Sequence, residues 1–161
     1  MNATTNLIAC DEQICNLFSG LFDTEVGVKQ SQAKTPISDA CVAVFGSPDG
    51  VCTAMCWCEL SLANTLGAAL AVIPAAYADE NTEANEFPEN LRENFGEVMN
   101  LCSNLFPKQQ SVGFSLQAIY LPTDTLPEEV TALAEGTDGE RVVVELSIER
   151  YRTGTLSVLT T

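Results

Sequence analysis

A ten-residue segment near the start of the chain recurs in its second half. Gln13 to Phe22 (QICNLFSGLF) laid on Glu97 to Phe106 (EVMNLCSNLF) gives five identities: Asn16 with Asn100, Leu17 with Leu101, Ser19 with Ser103, Leu21 with Leu105 and Phe22 with Phe106. After a length difference of two residues, Val26-Gly27 matches Val112-Gly113, and a proline follows each glycine by nine residues, at Pro36 and Pro122. Two short apolar helices can coincide by chance, but matched glycine-to-proline spacing favours duplication. A duplicated chain must build the same elements twice, which predicts an α/β (α+β) domain with pseudo-twofold symmetry.

Periodicity supplies the elements. Residues 7 to 22 carry Ile8, Ile14, Leu17, Phe18 and Leu21 at helical spacing, and a strand is expected at about 24 to 33. Cys41–Phe45 and Val51–Glu59 are β-rich runs separated by Gly46-Ser47-Pro48-Asp49-Gly50, which predicts a hairpin. Ser61 is the expected cap of a small-residue helix running to Val72, ended or bent by Pro74. Residues 78–85 (ADENTEAN) lack apolar periodicity and read as an acidic linker between halves at about 7–77 and 86–161 of a single 1–161 domain. Beyond Pro107, Val112, Phe114, Leu116, Ala118 and Tyr120 alternate as one face of a strand, and a short helix fits Glu128 to Ala134. Arg141–Tyr151 is the clearest strand, Arg152-Thr153-Gly154 turns the chain, and Thr155–Thr161 is the last strand. The expected unit is a helix followed by three strands, used twice.

The second copy of the repeated helix, read as Glu86 to Phe106, has unusual polarity. Pro88 suits a first-turn position and Pro107 stops the helix. At about 100° per residue, Glu86, Asn90, Glu93, Glu97, Asn100 and Asn104 share an arc of roughly 80°. Leu91, Phe95, Val98, Met99, Cys102, Leu105 and Phe106 form the opposite, core-facing stripe. An ordinary solvated face mixes in lysines, whereas here the only base, Arg92, lies outside the arc. Glu97 and Asn100, three residues apart, are neighbours on that face.

Composition narrows the chemistry. A formal charge of −15 and a pI near 4.1 exclude nucleic acid and anionic membrane as electrostatic partners. The chain has no histidine, so histidine acid/base chemistry, histidine triads and histidine-ligated zinc are excluded. Cys52, Cys56 and Cys58 share strand parity with Ala54, and the outer two would stand about 20 Å apart, too far for one zinc ion. They read as buried small apolar residues, and no metal site is expected. Seven cysteines, an odd count, fit a reducing, cytoplasmic compartment. Leu7-Ile8-Ala9-Cys10 superficially matches a lipoprotein cleavage box but has no basic start or hydrophobic stretch before it. Leu60–Tyr77, interrupted by Asn64, Thr65 and Pro74, is too short to span a bilayer and reads as a buried helix.

With the repeat and the Glu-x-x-Asn pair, the chain resembles the CheC/CheX/FliY group of bacterial chemotaxis proteins, most closely the CheX-like members. That resemblance implies phosphatase activity on the aspartyl phosphate of a CheY-like response regulator. The matching motif residues are Glu97, Asn100 and Pro122, with Asn100 implied to orient water and Glu97 to pair with the regulator's lysine. Asn90, Glu93 and Asn104 would be flanking partner contacts. The first copy is degenerate, with Gln13 in place of the acid, Asn16 retained and Pro36 two residues early. The resemblance further implies a homodimer and no intrinsic cofactor, Mg²⁺ being supplied by the regulator. The alternative from the same fold is a non-catalytic, flagellar-switch-like adaptor.

Overall fold

The computed structural model describes residues 11–161 except Cys52 and Gln109. The expected helical start at residues 7–10, the Leu7–Cys10 box and the placement of Cys52 lie outside the described residues. The elements are α1 (Asp11–Phe22), β1 (Val26–Gln30), β2 (Ala40–Gly46), β3 (Thr53–Glu59), α2 (Leu60–Leu70), α3 (Ala75–Glu83), α4 (Glu89–Cys102), β4 (Ser115–Tyr120), α5 (Glu128–Glu135), β5 (Glu140–Ile148) and β6 (Gly154–Thr160). Short 3₁₀ turns at Ile37–Asp39 and Ser103–Leu105 precede β2 and follow α4.

The six strands form one antiparallel sheet in the order β1-β5-β6-β3-β2-β4. Exchanging β1, β2 and β3 for β4, β5 and β6 reverses this order and leaves it unchanged, so the sheet has the pairing a helix-plus-three-strand duplication requires. β3 and β6, the last strands of the two halves, meet at its centre.

Strand alternation divides the core into two layers. Cys41, Ala43 and Phe45 of β2 and Ala54, Cys56 and Cys58 of β3 face a layer with Phe18, Leu66, Phe95 and Met99 of the helices. Val42, Val44, Met55 and Trp57 face the other side, against Ile37 and Val130. The β2–β3 hairpin pairs as expected, with Cys41 opposite Cys58.

Four local expectations are corrected. Ser61 does not cap α2: the helix opens at Leu60 after an extended Glu59, and no side chain caps it. The segment 78–85 is largely helical, because α3 runs from Ala75 to Glu83 and packs against α2. Its acids hid the helix, and Asn64 holds it. This fully buried α2 side chain donates from Nδ2 to Thr82 Oγ1 (3.1 Å) and to the Glu86 carbonyl (3.1 Å). Pro88 is the residue before α4 rather than within its first turn, and the helix ends at Cys102. Finally, β4 does not keep one parity. Val44 opposes Ala118 while Phe45 opposes Leu116, so Gln117 is an extra residue, a bulge. Leu116 and Ile119 therefore pack toward the helices and Tyr120 toward the other layer. A Cβ on Gly46 would overlap the Gln117 side chain, so the glycine makes room for the bulge.

The turn between α2 and α3 carries an unusual residue. Ile73 N–H donates to Ala68 O (2.9 Å) and Val72 N–H to Ala69 O (3.3 Å), the paired bonds of a Schellman motif. Val72 occupies the left-handed position with φ 56° and is 81% exposed. A β-branched residue is disfavoured there, and glycine is the usual occupant. Val72→Gly is expected to stabilise the fold by about 1 kcal/mol, read as a rise in Tm of roughly 2–4 °C. An unchanged or lower Tm would contradict the assignment of strain to this turn.

Candidate functional site

α4 is placed by a close helix crossing. A Cβ at Gly67 of α2 would lie 2.5 Å from the Leu91 carbonyl oxygen, so the bare glycine lets the two backbones touch. Asn94 Nδ2 donates to the Gly67 carbonyl at 3.0 Å, which sets the rotation of α4 at the same point. Below the crossing, Leu91, Phe95, Val98, Met99 and Cys102 are buried. At its far end, Phe106 packs between Phe45 and Phe114, with ring centroids 5.2 and 5.4 Å away. The core stripe is therefore the seven residues the sequence assigned to it.

With that stripe fixed, the opposite face is outward. Asn90, Glu93, Glu97 and Asn100 are exposed and lie within one turn-to-turn arc of α4. No described residue hydrogen-bonds or ion-pairs with the side chains of Glu93, Glu97 or Asn100. Asn90 is different, since its Oδ1 accepts from the Tyr77 hydroxyl at 3.2 Å, tying it to α3. Two residues leave the expected arc. Glu86 precedes the helix, where its N–H donates to Asn81 O and its carbonyl accepts from Asn64. Asn104 sits in the 3₁₀ turn and donates from Nδ2 to Leu101 O, closing the helix end.

Pro122 lies in the turn after β4, half-buried. The strand before it, β4, packs against α4, where the side a Cβ would occupy on Gly96 faces Ile119 Cδ1 at 3.7 Å. On the first copy, Gln13 and Asn16 are both exposed on α1, while Ile14, Phe18 and Phe22 are buried. The aligned residues of both copies are therefore exposed on their helices.

Beneath α4 lies a thiol-rich core. Cys41, Cys56, Cys58 and Cys102 are free and fully buried. Burial pushes the Cys41 thiol up to about 12. Cys56 is raised by its contact with Cys102 and then by burial, and Cys58 by burial and then by neighbouring thiols. Neutral thiols in an apolar layer behave as small hydrophobes and are poor nucleophiles. A raised folded-state value gives stability that is complete below the ordinary thiol value of 9.0 and declines as pH rises toward about 12. Stability is therefore expected to fall across that alkaline window, with a shallower fall in Cys41→Ala. Equal slopes in both proteins would contradict the assignment.

No family model matches the sequence, and no curated protein does either. Solved structures do match its fold. The FliM of an H. pylori FliM–SpeE complex has a TM-score of 0.60 at 10% identity, over 92% of this chain and 80% of that one. The H. pylori FliM middle domain gives 0.54 at 12% identity, over 92% and 83%. Thermotoga maritima FliY gives 0.51 at 10% identity, over 99% and 91%. The chain has the CheC/CheX/FliY-type fold, which is also that of the FliM middle domain.

Among the described residues, no helix is long and apolar enough to cross a membrane.

Proposed function

We propose that this protein hydrolyses the aspartyl phosphate of a CheY-like receiver domain, using the Glu97–Asn100 face of α4. The observation that carries the proposal is a carboxylate and an amide side by side, exposed and without partners among the described residues, on a helix whose rotation is fixed from below. Unengaged polar groups on a rigid element are suited to an incoming partner.

The chemistry asks little of the protein. An acyl phosphate beside Mg²⁺ and a lysine is already labile, so catalysis needs a positioned water and suitable charge placement. Asn100 donates and accepts at once. It holds the water in line with phosphorus without bringing a negative charge to the phosphoryl oxygens. Water attacks phosphorus, the bond to the aspartyl oxygen breaks, and inorganic phosphate and the free aspartate result. Glu97 pairs with the receiver's lysine and sets the docking register; Glu93 and Asn90 flank it, with Asn90 already held by Tyr77. The receiver supplies the Mg²⁺. The −15 charge favours a basic contact surface on the partner.

The second reading is a non-catalytic switch-like adaptor. It is favoured by the likeness to the FliM middle domain, since one fold hosts several functions.

Variants separate the two readings. Asn100→Ala is expected to lose at least about 100-fold in phosphate release while binding the phosphorylated receiver nearly as before, because a water-orienting amide matters most in the transition state. Glu97→Ala should weaken binding as well. If the two variants lose binding equally and turnover of the bound complex is unchanged, the roles are wrong.

The first copy provides an internal control. Gln13 lacks the charge that makes such a hydrogen bond roughly twice as strong. Asn16→Ala should therefore keep activity within about twofold of the parent protein and, being exposed, keep its Tm. A stable Asn16→Ala protein with strongly reduced activity would refute a single working site.

A further inference from the structure

On the face of the sheet opposite α4, the connections of the two halves meet. The segment before β2 and the end of α5 border a partly open cavity of about 460 Å³. Its floor includes three residues directly opposed on neighbouring central strands: Trp57 of β3, Ser157 of β6 and Val143 of β5. Trp57 is 7% exposed, and its indole N–H already donates to Thr35 O at 3.1 Å. The indole therefore offers the cavity apolar surface rather than a free donor.

Ser157 is different. It is 2% exposed, lines the cavity, and no described residue hydrogen-bonds its hydroxyl. Among the described residues Asn64 Oδ1, not the Ser157 hydroxyl, is the polar side-chain atom sealed from solvent without a partner, so Ser157 Oγ stays reachable from the cavity it lines and can pair with a polar atom of a ligand. Two of the chain's seven bases, Lys34 and Arg141, also line this one cavity, opposed there by Glu135. Arg141 is held in place by the end of α5: its guanidinium donates to the carbonyls of Ala134 (2.7 Å), Leu133 (2.6 Å) and Gly136. Lys34 is exposed and has no described partner.

We propose that this cavity binds a small aromatic hydroxy acid. Its flat ring lies against Trp57, its carboxylate is drawn to Lys34 and Arg141, and its hydroxyl pairs with Ser157. The volume is within the roughly 300–1,000 Å³ of small-molecule sites, which combine apolar walls with a few polar anchors. The requirement for two anchors separates this ligand class from a merely apolar one. The site is independent of the α4 face and of what that face does.

Trp57 is the only tryptophan, so its indole N–H resonance in ¹⁵N-labelled protein reports on the cavity alone. Titration with 4-hydroxyphenylacetate should shift that resonance saturably. Tyrosol, which keeps the ring and hydroxyl but replaces the carboxylate with an alcohol, should bind at least about tenfold more weakly. Lys34→Gln, at an exposed position that leaves folding intact, should weaken 4-hydroxyphenylacetate several-fold. Ser157→Ala should weaken 4-hydroxyphenylacetate but leave phenylacetate unchanged. A lack of saturable shift, equal binding of tyrosol, or unchanged affinity in Lys34→Gln would overturn the proposal.

Discussion

The contact between Gly67 and the backbone of Leu91 governs how this molecule presents itself. A glycine inside a helix costs about 1 kcal/mol relative to alanine. Here the missing side chain lets α4 lie directly on α2, and Asn94 converts the approach into a hydrogen bond to the Gly67 carbonyl. Once α4 is fixed in rotation, its apolar stripe is committed to the core and its acid-and-amide face must point outward. The buried Asn64, bonded to α3 and to the segment entering α4, holds the N-terminal end of the same arrangement.

Much of this was legible because α4 is a long helix with strong periodicity. All seven residues assigned to its buried stripe are buried, and Asn90, Glu93, Glu97 and Asn100 are exposed. The repeat read from the sequence led to the expectation of a symmetric sheet, and the strand order does read the same from either edge when β1, β2 and β3 are exchanged for β4, β5 and β6. What escaped the sequence were features set by tertiary contact. α3 has a polar surface and only Ala78 fully buried, so no hydrophobic pattern announces it. The β4 bulge depends on space left by Gly46 on another strand, and pattern alone predicted one continuous parity. Glu86 and Asn104 fit an ideal helical arc, but the helix stops short of both. The cavity over Trp57 joins two segments about a hundred residues apart, and only folding brings them together.

The two faces of the sheet have separate characters. One carries α1, α2 and α4, the buried thiols and the outward α4 surface; the other carries the thinner cover of α5 and an aromatic-floored cavity with two bases. A fold does not by itself assign a function, so the proposed activity is argued from the side chains of α4 rather than from the architecture. The Glu97–Asn100 pair is exposed and has no partner among the described residues, which is what the proposed docking asks of it. It is also chemically economical, because a labile acyl phosphate needs a placed water more than a strong base.

The most direct measurement is phosphate release from a panel of receiver domains of the same genome, each carrying its aspartyl phosphate and Mg²⁺, with and without this protein. The account predicts that at least one receiver loses phosphate about tenfold faster or more in its presence, a barrier reduction of about 1.4 kcal/mol or greater. Spontaneous-rate decay of every receiver, including one that the protein binds, would contradict catalysis and leave the α4 face as a docking surface alone.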